Sequence, residues 1–204
     1  MPTNILYYVH DPMCSWCWAY RPTLANLRQQ LAPLPVRFAQ LLGGLAPDSN
    51  APMPAAMQAK LQHIWRTLEQ QVGTPFNYDF WHQCAPRRST YPACRAVLAA
   101  QAQGQEDAMI EAIQRAYYLR AMNPADDTTL IQLAKELGLN ATLFSQTLSS
   151  PATQARLLQQ VSFARRLPIA GFPSLVLTQG AQNHAIPLDY HNAAPSLAAI
   201  AQYL

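Results

Sequence analysis

Strand-like sequence is confined to the two ends of this chain, and that division limits the folds open to it. Residues 4–9 are a short apolar run rich in β-branched and aromatic side chains, stopped by His10-Asp11-Pro12. The run reads as a buried strand. From about Ser15 to Leu31 the pattern is helical, with Trp18, Leu24, Leu27 and Leu31 near one face and Pro33 and Pro35 ending it. Residues 36–42 form a second strand pattern, closed by Gly43-Gly44. Strand, helix and strand at this spacing fit a right-handed βαβ unit. Strand character then returns only at 172–178, followed by a Gln179-Gly180 turn and an antiparallel partner at 183–188. A closing helix covers about 194–203.

Between the two ends the sequence reads as helical. A Pro-rich connector at 47–54 precedes Met57, Leu61, Ile64, Leu68 and Val72, which repeat at three and four as an amphipathic stripe. A Pro and aromatic stretch covers 74–86. Ser89-Thr90-Tyr91-Pro92 supplies a cap and an early-turn proline for a helix to about Gln103. Met109, Ile113, Ala116 and Tyr117 mark the next helix. Asp126 or Asp127 is expected to cap another, with Gly138 at its end, and Asn140 and Ser150-Pro151 to start two more. The order βαβ, helical block, ββα predicts an α/β protein whose sheet is built from both ends of the chain. The expected domains are 1–45 with 167–204, and a helical insertion at 46–166.

Composition removes several functions. Half of the 204 residues are hydrophobic and 12% are charged, as in a chain with a packed core. The net charge is +3, and the basic residues are scattered apart from Arg87-Arg88 and Arg165-Arg166. That is no footprint for nucleic acid or a membrane surface. The start of the chain lacks a basic, apolar and cleavage-site pattern, and no run approaches a membrane span, so a soluble, cytoplasmic protein is expected. Four cysteines do not make a small secreted disulfide scaffold.

Two of those cysteines, Cys14 and Cys17, form a Cys-x-x-Cys where the first strand gives way to the first helix. Such a pair can exchange electrons, bind a metal, or lie inert in a core. A thiol at a strand-to-helix junction meets unsatisfied backbone N–H groups, here including those of Trp16 and Cys17, and the positive end of the helix dipole. Both favour thiolate over thiol. Cys17, one turn into the helix, is expected to be the more buried and to attack a mixed disulfide formed on Cys14. A structural zinc site needs four ligands. Cys84 and Cys94 are available, but without a second Cys-x-x-Cys, and no H-x-x-H or H-E-x-x-H spacing occurs, so no metal site is expected. Cys94 shares an apolar stripe with Val97 and Leu98, while Cys84 lies in a loop; the two are a candidate second thiol pair.

The order strand, Asp11-Pro12-x-Cys14-x-Trp16-Cys17-Trp18, helix, long helical insertion, then Gly171-Phe172-Pro173-Ser174-Leu175-Val176-Leu177 resembles the DsbA-like branch of the thioredoxin superfamily. It looks closest to the cytoplasmic FrnE-type oxidoreductases and disulfide isomerases, over essentially the whole length. The resemblance implies a thioredoxin-like fold carrying a helical insertion. It implies Cys14 as nucleophile and Cys17 as resolving thiol, with a cis-proline at Pro173 beside them. It further implies substrate contacts from the Phe172 backbone, with Trp16 as an aromatic contact. No cofactor is expected beyond the dithiol itself, with glutathione a candidate redox partner, and the partners are proteins or peptides bearing thiols or disulfides. Periplasmic members carry His before the second cysteine; Trp16 stands there in this chain, which predicts a less oxidising disulfide.

Two other functions share the layout. Glutathione-dependent isomerases and transferases of the kappa and hydroxychromene-carboxylate type present Ser in place of the cysteine pair. A non-enzymatic peptide-binding or holdase module would keep the groove near Pro173 and make little use of the thiols. His10 and Asp11 flank the motif and could move a proton to or from Cys17, though solvated or capping roles are the commoner ones for a His and an acid at a strand end.

Overall fold

Leu6 and Tyr8 bury on one side of the first strand while Val9 is buried on the other beside Tyr7, so this strand has an apolar partner on both faces. The computed structural model describes residues 4–204; residues 1–3 of the expected first domain lie outside them. The strands are β1 (Asn4–His10), β2 (Val36–Leu42), β3 (Ser174–Gln179) and β4 (Gln182–Ile186), in one sheet of order β2-β1-β3-β4. β1 is parallel to β2 and antiparallel to β3, and β3 is antiparallel to β4. The β3–β4 hairpin closes through Gly180, whose φ of 57° suits glycine.

The helices are α1 (Ser15–Leu31), α2 (Ala55–Val72), α3 (Phe80–Gln83), α4 (Tyr91–Gln101), α5 (Glu106–Leu119), α6 (Asp127–Glu136), α7 (Ala141–Leu148), α8 (Pro151–Ala164) and α9 (Ala194–Ala201). The chain divides into two compact units, Met1–Gly43 with Gln160–Leu204, and Gly44–Gln159. The second cut falls within α8, ahead of residue 167. Its physical reason is visible in the sheet unit: Phe163, Ala164, Leu167 and Ile169 pack with Val9, Leu41 and Val176 on one face of the sheet. On the opposite face Leu24, Leu27 and Leu31 of α1 and Ile200 of α9 meet Leu6, Tyr8, Leu175 and Leu177. The alternation of Leu175, Val176 and Leu177 between the two faces follows from the strand's period of two.

In the helical unit, Trp65 of α2 is fully buried and rings from Phe76, Tyr78, Phe80, Trp81, Tyr117 and Tyr118 lie 4.9–6.2 Å from it. This cluster explains the Pro and aromatic stretch at 74–86, which contains the short α3. Two of the expected caps are differently used. Thr90 makes no side-chain cap on α4; its hydroxyl instead accepts from the Ala46 backbone N–H at 3.1 Å. Asp126 likewise leaves α6 without a side-chain cap because its carboxylate pairs with Arg87. A tertiary partner outbids the local one in both cases. Asn140 and Ser150 do cap, accepting from the backbone N–H of Leu143 at 3.0 Å and of Thr153 at 3.1 Å. Among the described residues, no helix is long and apolar enough to cross a membrane.

Candidate dithiol site

β1 ends at His10, and the chain turns through Asp11-Pro12-Met13 into α1. Asp11 makes this turn: its side chain accepts from the Met13 N–H at 2.8 Å and its carbonyl from the Cys14 N–H at 3.0 Å. Cys14 is left in extended conformation at the N-cap of α1, and its carbonyl takes the first helical bond, from Trp18 at 3.0 Å. His10 and Asp11 are 1% and 0% exposed, which corrects the solvated role expected for a His and an acid at a strand end. His10 is enclosed because its ring stacks on Tyr8 at 4.9 Å, and Asp11 because it is spent on the turn.

Both thiols are buried, Cys14 at 6% and Cys17 at 1% exposed. The Cys14 thiol does not cap α1 as the junction argument would have it. It donates instead to the Phe172 carbonyl at 3.5 Å. A protonated sulfur is a donor and seeks an oxygen, whereas a thiolate would turn to the helix amides. Burial pushes the Cys17 thiol well up from its ordinary value, and its hydrogen bond to Cys14 and the Cys14 charge add to this. A hydrogen bond from the Asp11 backbone pulls the other way. Cys17 therefore keeps its proton at neutral pH and offers it towards Cys14.

Phe172 and Pro173 precede β3, and the peptide bond between them is cis. Pro173 is buried, and the Phe172 ring lies over Gly43 at the end of β2. A Cβ placed on Gly43 would sit 2.1 Å from that ring, so only glycine leaves room for it. The Gly43 N–H donates to the His10 carbonyl at 2.7 Å, fixing this corner beside the Cys14 turn. Trp16 is half-buried on the first turn of α1, edge-on to Tyr190 at 5.4 Å.

The structure thus gathers Cys14, Cys17, Phe172 and Pro173, with Trp16 next to them in the chain. Cys84 and Cys94 belong to the helical unit and are not bridged to each other: Cys84 donates to the Ala121 carbonyl at 3.0 Å, and Cys94 is buried in α4. Burial pushes the Cys84 thiol up. Among the described residues, no group of three or more His, Cys, Asp or Glu is arranged to hold a metal ion.

Two neighbours of the sulfurs were not singled out by sequence reasoning. Tyr8, buried in β1, is hydrogen-bonded to Cys17; burial first, then the charges of both cysteines, push its hydroxyl well up. Tyr190 feels the same two charges. A tyrosine in an apolar strand looks like core, and one in a loop carries no local pattern, so neither could be found without the sheet register.

The chain matches the DSBA-like thioredoxin domain over residues 6–194 and belongs to that family. A structure from Nitrosomonas europaea, provisionally assigned as a protein disulfide isomerase, is 28% identical with a TM-score of 0.85, covering 98% of this chain and 97% of the other. The cytosolic disulfide reductase DsbM from Pseudomonas aeruginosa is 25% identical with a TM-score of 0.77, covering 98% and 100%. A second DsbM structure holds GSH, with a TM-score of 0.75. The ClpXP adapter protein SpxH of Halalkalibacterium halodurans is 25% identical over 178 residues, 84% of this chain. The chain spans 57% of the length of that relative. The fold is accordingly DsbA-like thioredoxin with a helical insertion.

The close approach at Gly43 predicts that Gly43→Ala displaces the Phe172 ring and costs about 1–3 kcal/mol in denaturant unfolding. Adding Phe172→Ala should cost less in this background than in the unsubstituted protein; additive costs would show that the ring is not what the methyl meets. The raised Cys17 thiol sets a second expectation. A proton held more tightly in the folded than in the unfolded state stabilises the fold fully below the unfolded value, near 9.0, and that stabilisation is lost as pH rises further. Stability of the reduced protein should therefore fall above about pH 9. In Cys17→Ala this alkaline decline should be shallower, as read by thermal unfolding across pH.

Proposed function

We propose that this protein is a thiol–disulfide oxidoreductase in which Cys14 is the nucleophile and Cys17 the resolving thiol. The observation that carries the reading is the linked set of Cys17 hydrogen-bonded to Cys14 and Cys14 donating to the carbonyl beside Pro173. Cys14 gives up its proton and attacks a substrate disulfide. A Cys14–substrate S–S bond forms, the substrate's own S–S bond breaks, and its electron pair leaves on the far sulfur. Cys17 then loses its proton, attacks the Cys14 sulfur and releases the second substrate thiolate. The protein is left with a Cys14–Cys17 disulfide and the substrate with two thiols. The tightly held Cys17 proton delays this second step until the mixed disulfide exists, because a thiolate on Cys14 no longer draws it.

Two molecules of an external thiol would return the dithiol, and the glutathione-bound DsbM structure makes glutathione a reasonable candidate. No further cofactor is part of the reading. Once the Cys14 proton leaves, the Phe172 carbonyl is released to accept from an extended peptide, so recognition runs largely through backbone, with Trp16 as an aromatic contact. Substrates are then proteins or peptides with exposed cystines. Trp16 in place of a histidine deprives the Cys14 thiolate of that partner, so the disulfide should be less oxidising than that of a dedicated oxidant. A reducing compartment, the cytoplasm, suits such a disulfide and accords with the cytosolic DsbM.

A second reading has its own support. The curated relatives are named as ClpXP adapters and not as redox enzymes. A binding module would use the groove near Pro173 and leave the thiols idle. Insulin reduction with glutathione as the electron source separates the two. Cys14→Ser should fall to the background rate, and Cys17→Ser should accumulate a mixed disulfide visible by mass spectrometry. Undiminished reduction by Cys14→Ser would end the catalytic proposal. Equilibrium titration in glutathione buffers should give a potential well below about −120 mV, the value of the strongest oxidants.

A further inference from the structure

The segment between β4 and α9 brings a third wall to the dithiol. Asp189 closes its turn, accepting from the backbone N–H groups of His191 at 2.7 Å and Asn192 at 2.9 Å. Thr23 of α1 donates its hydroxyl to the Tyr190 carbonyl at 2.7 Å, tying the segment to that helix. The Tyr190 ring is held edge-on to two aromatics of α1, Trp16 at 5.4 Å and Tyr20 at 5.6 Å. Trp16 and Tyr20 are four residues apart and share a helix face, so the ring is seated on a prepared surface. Cys17 lies between them in sequence. The half-buried phenol also lies within electrostatic reach of both Cys17 and Cys14.

A ring held by two aromatic contacts, on a backbone tied to α1, has its hydroxyl restricted in direction. Burial pushes that hydroxyl up, and the cysteine charges push it further, so it stays protonated and keeps a proton to donate. Four sulfurs carry charge in turn during disulfide exchange: Cys14, Cys17 and the two sulfurs of the substrate, the first of which is displaced when Cys14 attacks. Cys14 already has Cys17 as its donor, and Cys17 has Tyr8. Trp16 and Tyr190 beside the dithiol are both half-buried rather than enclosed, so the Tyr190 hydroxyl, not taken up by either cysteine, can serve a substrate sulfur.

We propose that Tyr190 donates a hydrogen bond to the substrate sulfur displaced when Cys14 attacks, which makes it a catalytic residue for disulfides with poor leaving groups. This rests on the oxidoreductase reading above. The Cys14–substrate bond forms, the substrate S–S bond breaks with its electron pair on the far sulfur, and that thiolate later takes a proton from solvent. Tyr190 keeps its own proton throughout. Alkyl thiolates, such as those of cysteine peptides, hold their charge poorly and need the donor most; acidic aromatic thiolates leave without help.

Tyr190→Phe removes the oxygen and keeps the ring on Trp16 and Tyr20. Single-turnover rates of the reduced protein are measured with an aromatic disulfide, dithiobis(nitrobenzoate), and with two alkyl disulfides, oxidised glutathione and hydroxyethyl disulfide. Tyr190→Phe should slow the alkyl reactions about tenfold, as expected for one lost bond to a charged group, and leave the aromatic one within about twofold. Equal slowing of all three, or none, overturns the proposal. Tyr190→Ala should in addition shift Trp16 fluorescence and slow every disulfide, since the ring is gone. If it behaves as Tyr190→Phe does, the ring is not holding the site and the proposed wall is wrong. Unsubstituted protein that reacts with none of these disulfides would instead end the oxidoreductase reading itself, and this inference with it.

Discussion

The antiparallel pairing of β1 with β3 is the contact on which the candidate site depends. Val9 is set against Ser174 in that register, so the chain leaving β1 and the chain entering β3 emerge at the same edge of the sheet. One carries Asp11 to Cys14, the other Phe172 and Pro173. A shift of one residue would turn every side chain of β3 to the opposite face and bury the wrong set, because Leu175 and Leu177 belong to the core shared with α1 and Val176 to the core shared with the end of α8. The same packing that stabilises the sheet thus specifies the meeting of Cys14 with the Phe172 carbonyl.

Around that meeting the chain arranges donors in sequence. Cys14 donates to a carbonyl, Cys17 is hydrogen-bonded to Cys14, and Tyr8 is hydrogen-bonded to Cys17. Each of these groups is largely removed from water, where a polar contact is strengthened and an uncompensated charge is costly. The result is a buried file of protons in which Cys14 is the more accessible of the two sulfurs. Gly43 contributes by absence, since its missing side chain admits the Phe172 ring and leaves the Phe172 backbone turned to the sulfur.

Local pattern carried the elements well and their partners poorly. The strands, the first helix and the junction holding Cys14 were legible because apolar periodicity and the Asp-Pro turn are local signals. The cap expected at Thr90 was not what the threonine does, because Ala46, far away in sequence, offers its hydroxyl a partner. Asp126 was similarly diverted by Arg87. Of the solvated and capping roles open to His10 and Asp11, the solvated one fails because a stacked ring and a completed turn enclose both, while the turn made by Asp11 is of the capping kind.

The sequence by itself determined that this chain has a split α/β core, a Cys-x-x-Cys at a helix start and a Phe-Pro step before a late strand. Those features depend on neighbours a few residues apart, where spacing is geometry. Tertiary structure alone decided that Tyr8 reaches Cys17, that Tyr190 stands against Trp16, and that Gly43 makes room for Phe172. Each of these joins residues from different strands, helices or loops, and their approach is set by sheet register and core packing, which no local pattern encodes.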